Sequence, residues 1–147
     1  MSLEDKLVED QLQATKAKER FRLTVIRMLR AELKNASIAK RGPLDPDEEL
    51  TVLSREVKRR QEALKDYERA NRPELLEGLQ QEIALLQGYL PARLTEPELE
   101  ALIDQALRET GAASRSDLGK VMGWLMPKVK GKADGAVLRR AVENKLQ

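Results

Sequence analysis

Apolar residues recur at spacings of three and four along nearly the whole chain, and no stretch alternates between apolar and polar residues. Residues 50–64, for example, place four apolar residues on one helical face: Leu50, Leu53, Val57 and Leu64. Such spacing indicates amphipathic α-helices, whereas a half-buried strand requires alternation. Aromatic residues make up only 3% of the chain, which also disfavours a sandwich or barrel. The sequence therefore predicts an all-α protein of six or seven helices.

Helix-start signals stand between these apolar faces. The pairs of capping residues are Ser2 with Asp5, Asp45 with Glu48, and Thr95 with Glu98. In each pair a short polar side chain can cap the first turn while the acid three residues later bonds back to it. Residues 16–20 contain no Gly or Pro, so one long helix over residues 3–41 is possible, but we favour a break there.

The apolar faces also predict which side chains are buried. Inward positions on the first, second and last helices include Leu7, Val8, Leu12, Phe21, Val137, Leu138 and Val142. Pro127 is expected to interrupt the helix that contains Val121 and Leu125, because proline lacks the backbone N–H that a helix interior needs.

The segment Tyr89–Leu94 breaks the helical pattern and predicts a domain boundary. Residues 1–91 are expected to form an N-terminal helical hairpin or bundle domain. Residues 95–147 are expected to form a small three-helix tail domain of roughly fifty residues, near the lower size limit for a self-sufficient core.

The chain contains no Cys and no His. This excludes a disulfide framework, a Cys nucleophile and His-based acid–base catalysis, and no phosphate-binding loop motif is present. We therefore predict no catalytic residue, no metal site and no cofactor. No signal peptide or apolar run of about 20 residues is found, so the sequence predicts a cytoplasmic protein with no membrane partner.

Charge is distributed unevenly although the net charge is only +2. Residues 16–41 carry a net charge of +7, residues 73–114 carry −6, and residues 115–147 carry +5. In the first basic zone, five cations share one helical face: Arg20, Arg27, Arg30, Lys34 and Arg41. This face is either solvated or a nucleic-acid contact, for which Arg27, Arg30 and Lys34 are the candidates. The group Arg55–Arg60 is better explained by local pairing with Glu56 and Glu62.

The second basic zone places Lys128, Lys130 and Lys132 on a predicted turn between two helices. Gly131 and Gly135 permit unusual φ values and close backbone approach. The helix that starts after Asp134 offers N–H groups to an anion. Such a turn can follow a nucleic-acid backbone, with Lys120, Arg139 and Arg140 nearby, or it is an ordinary solvated turn. Trp124 can stack on a base but is more often partly buried.

These segments resemble the GatB/YqeY family. The matching stretches are Asp117–Gly123, Leu125–Gly135 and Val142–Leu146 in the tail, and Arg27–Leu29, Arg55–Arg60, Tyr67–Ala70 with Arg72, and Tyr89–Pro91 before it. The tail is similar to the one that ends the B subunit of the glutamine-dependent Asp/Glu-tRNA amidotransferase. The resemblance implies an all-helical N-terminal domain followed by a small helical tail implicated in holding tRNA.

The kinase-like domain that carries the amidotransferase chemistry has no counterpart in 147 residues. The resemblance therefore implies a tRNA-associated module that binds tRNA backbone without catalysis of its own, and no DNA partner is expected. One alternative is a protein–protein adaptor whose tail docks on an amidotransferase or an aminoacyl-tRNA synthetase. Another is an accessory that assists a glutamine-dependent tRNA amidotransferase (a carbon–nitrogen ligase with glutamine as amido-N-donor) only in complex.

Overall fold

A computed structural model describes residues 2–146. The regular secondary structure of these residues is entirely helical, as the periodicity predicts. The seven helices are α1 (Leu3–Lys16), α2 (Arg20–Lys40), α3 (Pro46–Arg69), α4 (Pro73–Gln87), α5 (Glu96–Thr110), α6 (Leu118–Val129) and α7 (Gly135–Lys145), with one 3₁₀ turn at Arg115–Asp117. No strand occurs in this part of the chain, and no helix in it is both long and apolar enough to cross a bilayer.

The chain divides into two compact units. The first ends at Leu90 and holds α1 to α4, and the second begins at Pro91 and holds α5 to α7. Whether these units are independently folding domains with a boundary at residues 91–95 stays a prediction.

The first unit is built from two helix pairs, α1 with α2 and α3 with α4. Its core contains Leu7, Ala14, Val25, Ile26, Leu29, Leu33, Val52, Leu53, Val57, Ile83 and Leu86. The expected burial of Val8, Leu12 and Phe21 was wrong, since these side chains are 47%, 54% and 41% exposed. Because α1 packs chiefly against α2, the contact covers only a narrow stripe of α1 through Leu7 and Ala14 and leaves Val8 and Leu12 outside it. Phe21 lies in the first turn of α2, and this packing does not explain its exposure.

The break between α1 and α2 is confirmed. Lys18 has a left-handed φ of 58°, and the N–H of Glu19 donates to the carbonyl of Ala14 at 2.9 Å. A left-handed residue cannot continue a right-handed helix, so the chain reverses here without Gly or Pro.

Two carboxylates are buried in the first unit, Glu49 and Glu56, each 5% exposed. Glu56 pairs with Arg59 at 3.1 Å and with Arg60 at 3.3 Å, as expected from their spacing. Arg60 also reaches Glu82 on α4 at 3.1 Å, so this group ties α3 to α4.

The second unit surrounds its own core of Ile103, Ala106, Val121, Leu125, Val129, Leu138, Val142 and Leu146. Val137 is 57% exposed rather than buried, because Leu138 takes the inward position at the start of α7. The interruption expected at Pro127 was also wrong, since α6 runs through it to Val129. Proline removes only the N–H that would reach the carbonyl of Gly123, an exposed residue four positions earlier, so the loss is tolerated near the helix end.

Candidate nucleic-acid interface

Three lysines lie close together where α6 gives way to α7, and we name Lys128, Lys130 and Lys132 the tail lysine cluster. Lys128 lies in the last turn of α6 rather than on the turn, which corrects the sequence prediction, and Lys130 is the C-cap residue. The N–H of Lys132 donates to the carbonyl of Val129 at 2.8 Å, and its own carbonyl accepts the N–H of Leu94 at 3.0 Å. Both backbone polar groups of Lys132 are therefore hydrogen-bonded, which fixes the backbone at this end of the cluster.

The two glycines of this turn differ in conformation. Gly131 has a left-handed φ of 75°, as expected for a turn glycine. Gly135 is the first residue of α7 and has no positive φ, so the unusual φ that glycine permits is adopted at Gly131 and not at Gly135. A residue that follows the N-cap takes helical backbone angles, and Gly135 follows the N-cap Asp134.

The start of α7 is less open to anions than the sequence suggested. The side chain of Asp134 accepts the N–H of Ala136 at 2.8 Å. This carboxylate occupies a donor at the helix start and adds a negative charge beside it, so a phosphate is less favoured there. Positive charge at this turn therefore comes from the lysines.

Lys128 is fixed over an aromatic ring. Its Nζ lies 3.8 Å from the centroid of the Trp124 ring and 3.5 Å from the carbonyl oxygen of Trp124. Trp124 itself is half-buried against the core of the second unit, as its apolar neighbours indicated. The cation–π contact orders Lys128 without neutralising its charge.

The other tail cations predicted to bind RNA lie on α6 and α7, the helices on either side of this cluster. Arg139 pairs with Glu143 at 3.2 Å, whereas Arg140 is exposed. Lys120 lies near the start of α6, about 12 Å along the helix from Lys128 at 1.5 Å per residue. Hydrogen bonds from the N–H groups of Ala113 and Ser114 lower the pKa of Asp117, and the charge of Lys120 contributes less to this lowering.

Three cations of the first basic zone lie together as well. Arg27, Arg30 and Lys34 line one cavity of about 580 Å³ in the first unit. Arg30 is already engaged, since its guanidinium donates to Glu4 at 2.9 Å and to Gln11 at 2.7 Å. Arg41 lies beyond the end of α2 with a φ of 65°, so the five-residue face expected from the spacing is incomplete.

The acids that share this cavity were missed by the sequence reasoning. Glu4 and Glu49 both line it, but their partners are distant along the chain. Glu49 lies in the first turn of α3, where its position in the sequence indicates only a role at that helix start. Within residues 2–146, no group of three or more side chains is arranged to hold a metal ion.

Comparison with known proteins places the chain in a family. The sequence pattern described as "Yqey-like protein" matches residues 4–146. A relative from Pyrenophora tritici-repentis, named "Altered inheritance of mitochondria protein 41, mitochondrial", is 31% identical over 132 residues, which cover 87% of this chain and 71% of the relative. A protein of the same name from Vanderwaltozyma polyspora is 24% identical over 146 residues, 95% of this chain and 79% of that protein.

Proposed function

Because the chain belongs to the Yqey-like protein family, we propose that it is a helical module that binds tRNA through its tail and performs no chemistry of its own. The names of the two relatives describe the inheritance of mitochondria and mention no RNA. They also give no support to the cytoplasmic location expected from the sequence, which stays a prediction. The proposal rests on the tail lysine cluster.

The observation that carries the proposal is the concentration of unpaired positive charge in five residues. None of Lys128, Lys130 and Lys132 has a carboxylate partner within 4.0 Å among the described residues. The nearest acid in sequence, Asp134, is engaged by the N–H of Ala136. Three lysines on a backbone held by hydrogen bonds form a site for closely spaced anionic groups, and a polyphosphate backbone supplies these.

The side chains of the cluster favour contacts to the backbone over reading of bases. A lysine ammonium is a point charge with three donors and binds phosphate without a preferred base. The half-buried Trp124 presents one ring face to Lys128, so that face is not free for stacking while the contact lasts. Binding of this kind follows the shape of folded RNA, which agrees with the tRNA-holding role implied for the similar amidotransferase tail.

The experiment compares two triple variants in tRNA binding across a range of salt concentration. In the first, Lys128, Lys130 and Lys132 are all changed to Gln. In the matched control, the exposed lysines Lys16, Lys58 and Lys65 of the first unit are changed to Gln. If each tail lysine contacts one phosphate, the first variant loses roughly two to three units of salt slope, at about 0.7 to 0.9 counterions per contact. The control keeps the wild-type slope.

Binding is followed by filter retention and by the fluorescence of Trp124, the one tryptophan of the chain. Affinity is expected to fall alike for all tRNAs, because backbone contacts carry no sequence information. A folded tail-lysine variant that binds tRNA with wild-type affinity and slope would overturn the proposal. The adaptor or accessory role beside a tRNA amidotransferase or a synthetase would then be the function to test.

A further inference from the structure

The cavity of the first unit has the size and chemistry of a small-molecule site. It lies between the start of α1, the middle of α2 and the segment after α2, and its volume is about 580 Å³. Ligand sites in proteins fall in the range of roughly 300 to 1,000 Å³. The tRNA-binding proposal does not use this cavity.

One side of the cavity is a single face of α2. Arg27, Ala31 and Lys34 follow one another at spacings of four and three residues, and all three line the cavity. Residues at these spacings lie on the same side of a helix. The small side chain of Ala31 therefore leaves room between two long cationic side chains, which can converge on one anion.

Arg30, Glu4 and Glu49, which also line this cavity, already have hydrogen-bond partners within the protein. Arg30 is held by Glu4 at 2.9 Å. Glu49 is 5% exposed, and its carboxylate accepts the N–H groups of Leu3 at 3.4 Å and Glu4 at 3.0 Å. These N–H groups at the start of α1 are thus occupied and do not supply an anion site.

Arg27 and Lys34 are the cations that remain. The lining as a whole carries a net charge of +1, since Glu4 and Glu49 also contribute to it, but neither of these two cations has a carboxylate within 4.0 Å among residues 2–146. A phosphomonoester, which carries a charge of about −1.5 to −2 at neutral pH, balances them. The planar guanidinium of Arg27 can bind two phosphate oxygens side by side.

Most of the remaining lining is apolar, and the two serines in it, Ser2 and Ser37, already make hydrogen bonds to backbone groups. Leu33 is 4% exposed, and Leu44 and Pro43 come from the segment between α2 and α3. Burial of an apolar group against these side chains is favourable, and they offer no hydrogen bonds to a sugar or a peptide. The ligand therefore needs a charged end and a compact apolar body.

We propose that this cavity binds a small phosphomonoester, with its phosphate between Arg27 and Lys34 and its apolar body against Leu44. Calorimetric titration of the full chain tests this with phenyl phosphate as the probe. Inorganic phosphate supplies the charge without the body, and benzyl alcohol supplies the body without the charge. Phenyl phosphate is expected to bind at one site, at least about tenfold more tightly than either. Relative to benzyl alcohol it adds charge-assisted hydrogen bonds, and relative to inorganic phosphate it adds burial of an apolar ring, and each contribution accounts for a factor of about ten or more.

Variants distinguish the cavity from a merely basic surface. R27Q and K34Q are each expected to weaken binding of phenyl phosphate about tenfold or more, whereas R20Q, which removes an exposed charge from α2 outside the cavity, leaves it unchanged. A31L fills the space between the cations without changing the charge and is expected to abolish binding. Ala31 is exposed and helical, so this variant keeps the fold, as circular dichroism will show.

Several outcomes would overturn the proposal: phenyl phosphate bound no more tightly than inorganic phosphate, wild-type binding by folded A31L, or equal losses in R20Q and R27Q. A 5′-phosphorylated RNA oligonucleotide that displaces phenyl phosphate at lower concentration would assign the cavity to an RNA end and overturn it as well. The tail-lysine variant is expected to bind phenyl phosphate as the wild type does, so the two proposals fail separately.

Discussion

The carboxylate of Glu49 on α3 accepts the backbone N–H of Glu4, in the first turn of α1, at 3.0 Å. The same carboxylate accepts the N–H of Leu3 at 3.4 Å. Helix starts leave N–H groups without intrahelical partners, and an anion there is stabilised by the helix dipole. A buried side chain from α3 thus performs part of the capping of α1, in addition to the local cap Ser2.

We predict that Glu49→Gln lowers the free energy of unfolding by about 1 to 3 kcal/mol, because the neutral amide loses a charge-assisted bond and turns an NH₂ group toward backbone donors. Urea denaturation measures this. Glu62→Gln, an exposed change on the same helix, is the control and is expected to stay within about 0.5 kcal/mol of the wild type. Equal stability of the two variants would show that the Glu49 cap contributes nothing.

We predict that the protein loses stability in strong alkali as the hydroxyl of Tyr89 deprotonates. Its hydroxyl donates to Asp10 at 2.5 Å, and burial, followed by this hydrogen bond, raises the pKa of Tyr89 from 10 to about 12. The fold favours the neutral phenol, so this contribution is fully present below pH 10 and is lost as the pH rises from 10 to about 12.

The measurement compares wild type with Tyr89→Phe by urea denaturation at about pH 8 and pH 12. The variant is expected to be less stable at pH 8, because it lacks the bond to Asp10. The difference between the two proteins is expected to shrink at pH 12, where lysine deprotonation affects both alike. A difference that is the same at both values of pH would contradict the role of the Tyr89 hydroxyl.

We predict that a protease cuts first in the segment between α4 and α5. Residues 91–95 have no helix, and Arg93 is exposed. Proteolysis requires local unfolding, which is least costly in exposed, non-helical backbone. Limited digestion with proteinase K is expected to cut first within residues 91–95, and trypsin to cut after Arg93 in the wild type but not in Arg93→Gln. First cuts by proteinase K within residues 75–88 would contradict the domain boundary.

Local signals predicted the helices, while the partners of particular side chains depend on contacts distant in sequence. The cap of Asp45 on the N–H of Glu48 spans three residues and could be inferred from spacing. The cap of Glu49 on Glu4 spans 45 residues, and no spacing rule indicates it. Periodicity likewise identified the apolar face of α1 but not how few neighbours would cover Leu12.

The candidate sites follow the same division. The sequence identified the cations of both basic zones, because the charge of a side chain is known without the fold. It could not show that Arg30 is engaged by Glu4 while Arg27 is not, since Glu4 belongs to another helix. Nor could it show that Lys128 lies on α6 over Trp124, because proline suggested an earlier end to the helix.

The two glycines beside the tail lysine cluster give a matched pair of variants with opposite expected effects. Gly131→Ala forces a Cβ into the left-handed conformation at φ 75°, which costs about 1 to 2 kcal/mol. Gly135→Ala places a Cβ in open space at the first residue of α7, where alanine restricts the unfolded chain and is expected to stabilise by about 0.4 to 1 kcal/mol. Urea denaturation measures both.

Neither variant changes charge, so both are expected to keep the wild-type salt slope in tRNA binding. Gly131→Ala is expected to weaken tRNA binding at every salt concentration, because strain at residue 131 displaces the backbone between Lys130 and Lys132. Gly135→Ala leaves that backbone in place and is expected to bind as the wild type does. Changes of the same sign in stability would show that the two glycines do not differ in conformation, and a wild-type affinity in Gly131→Ala would show that the geometry of the turn does not matter for binding.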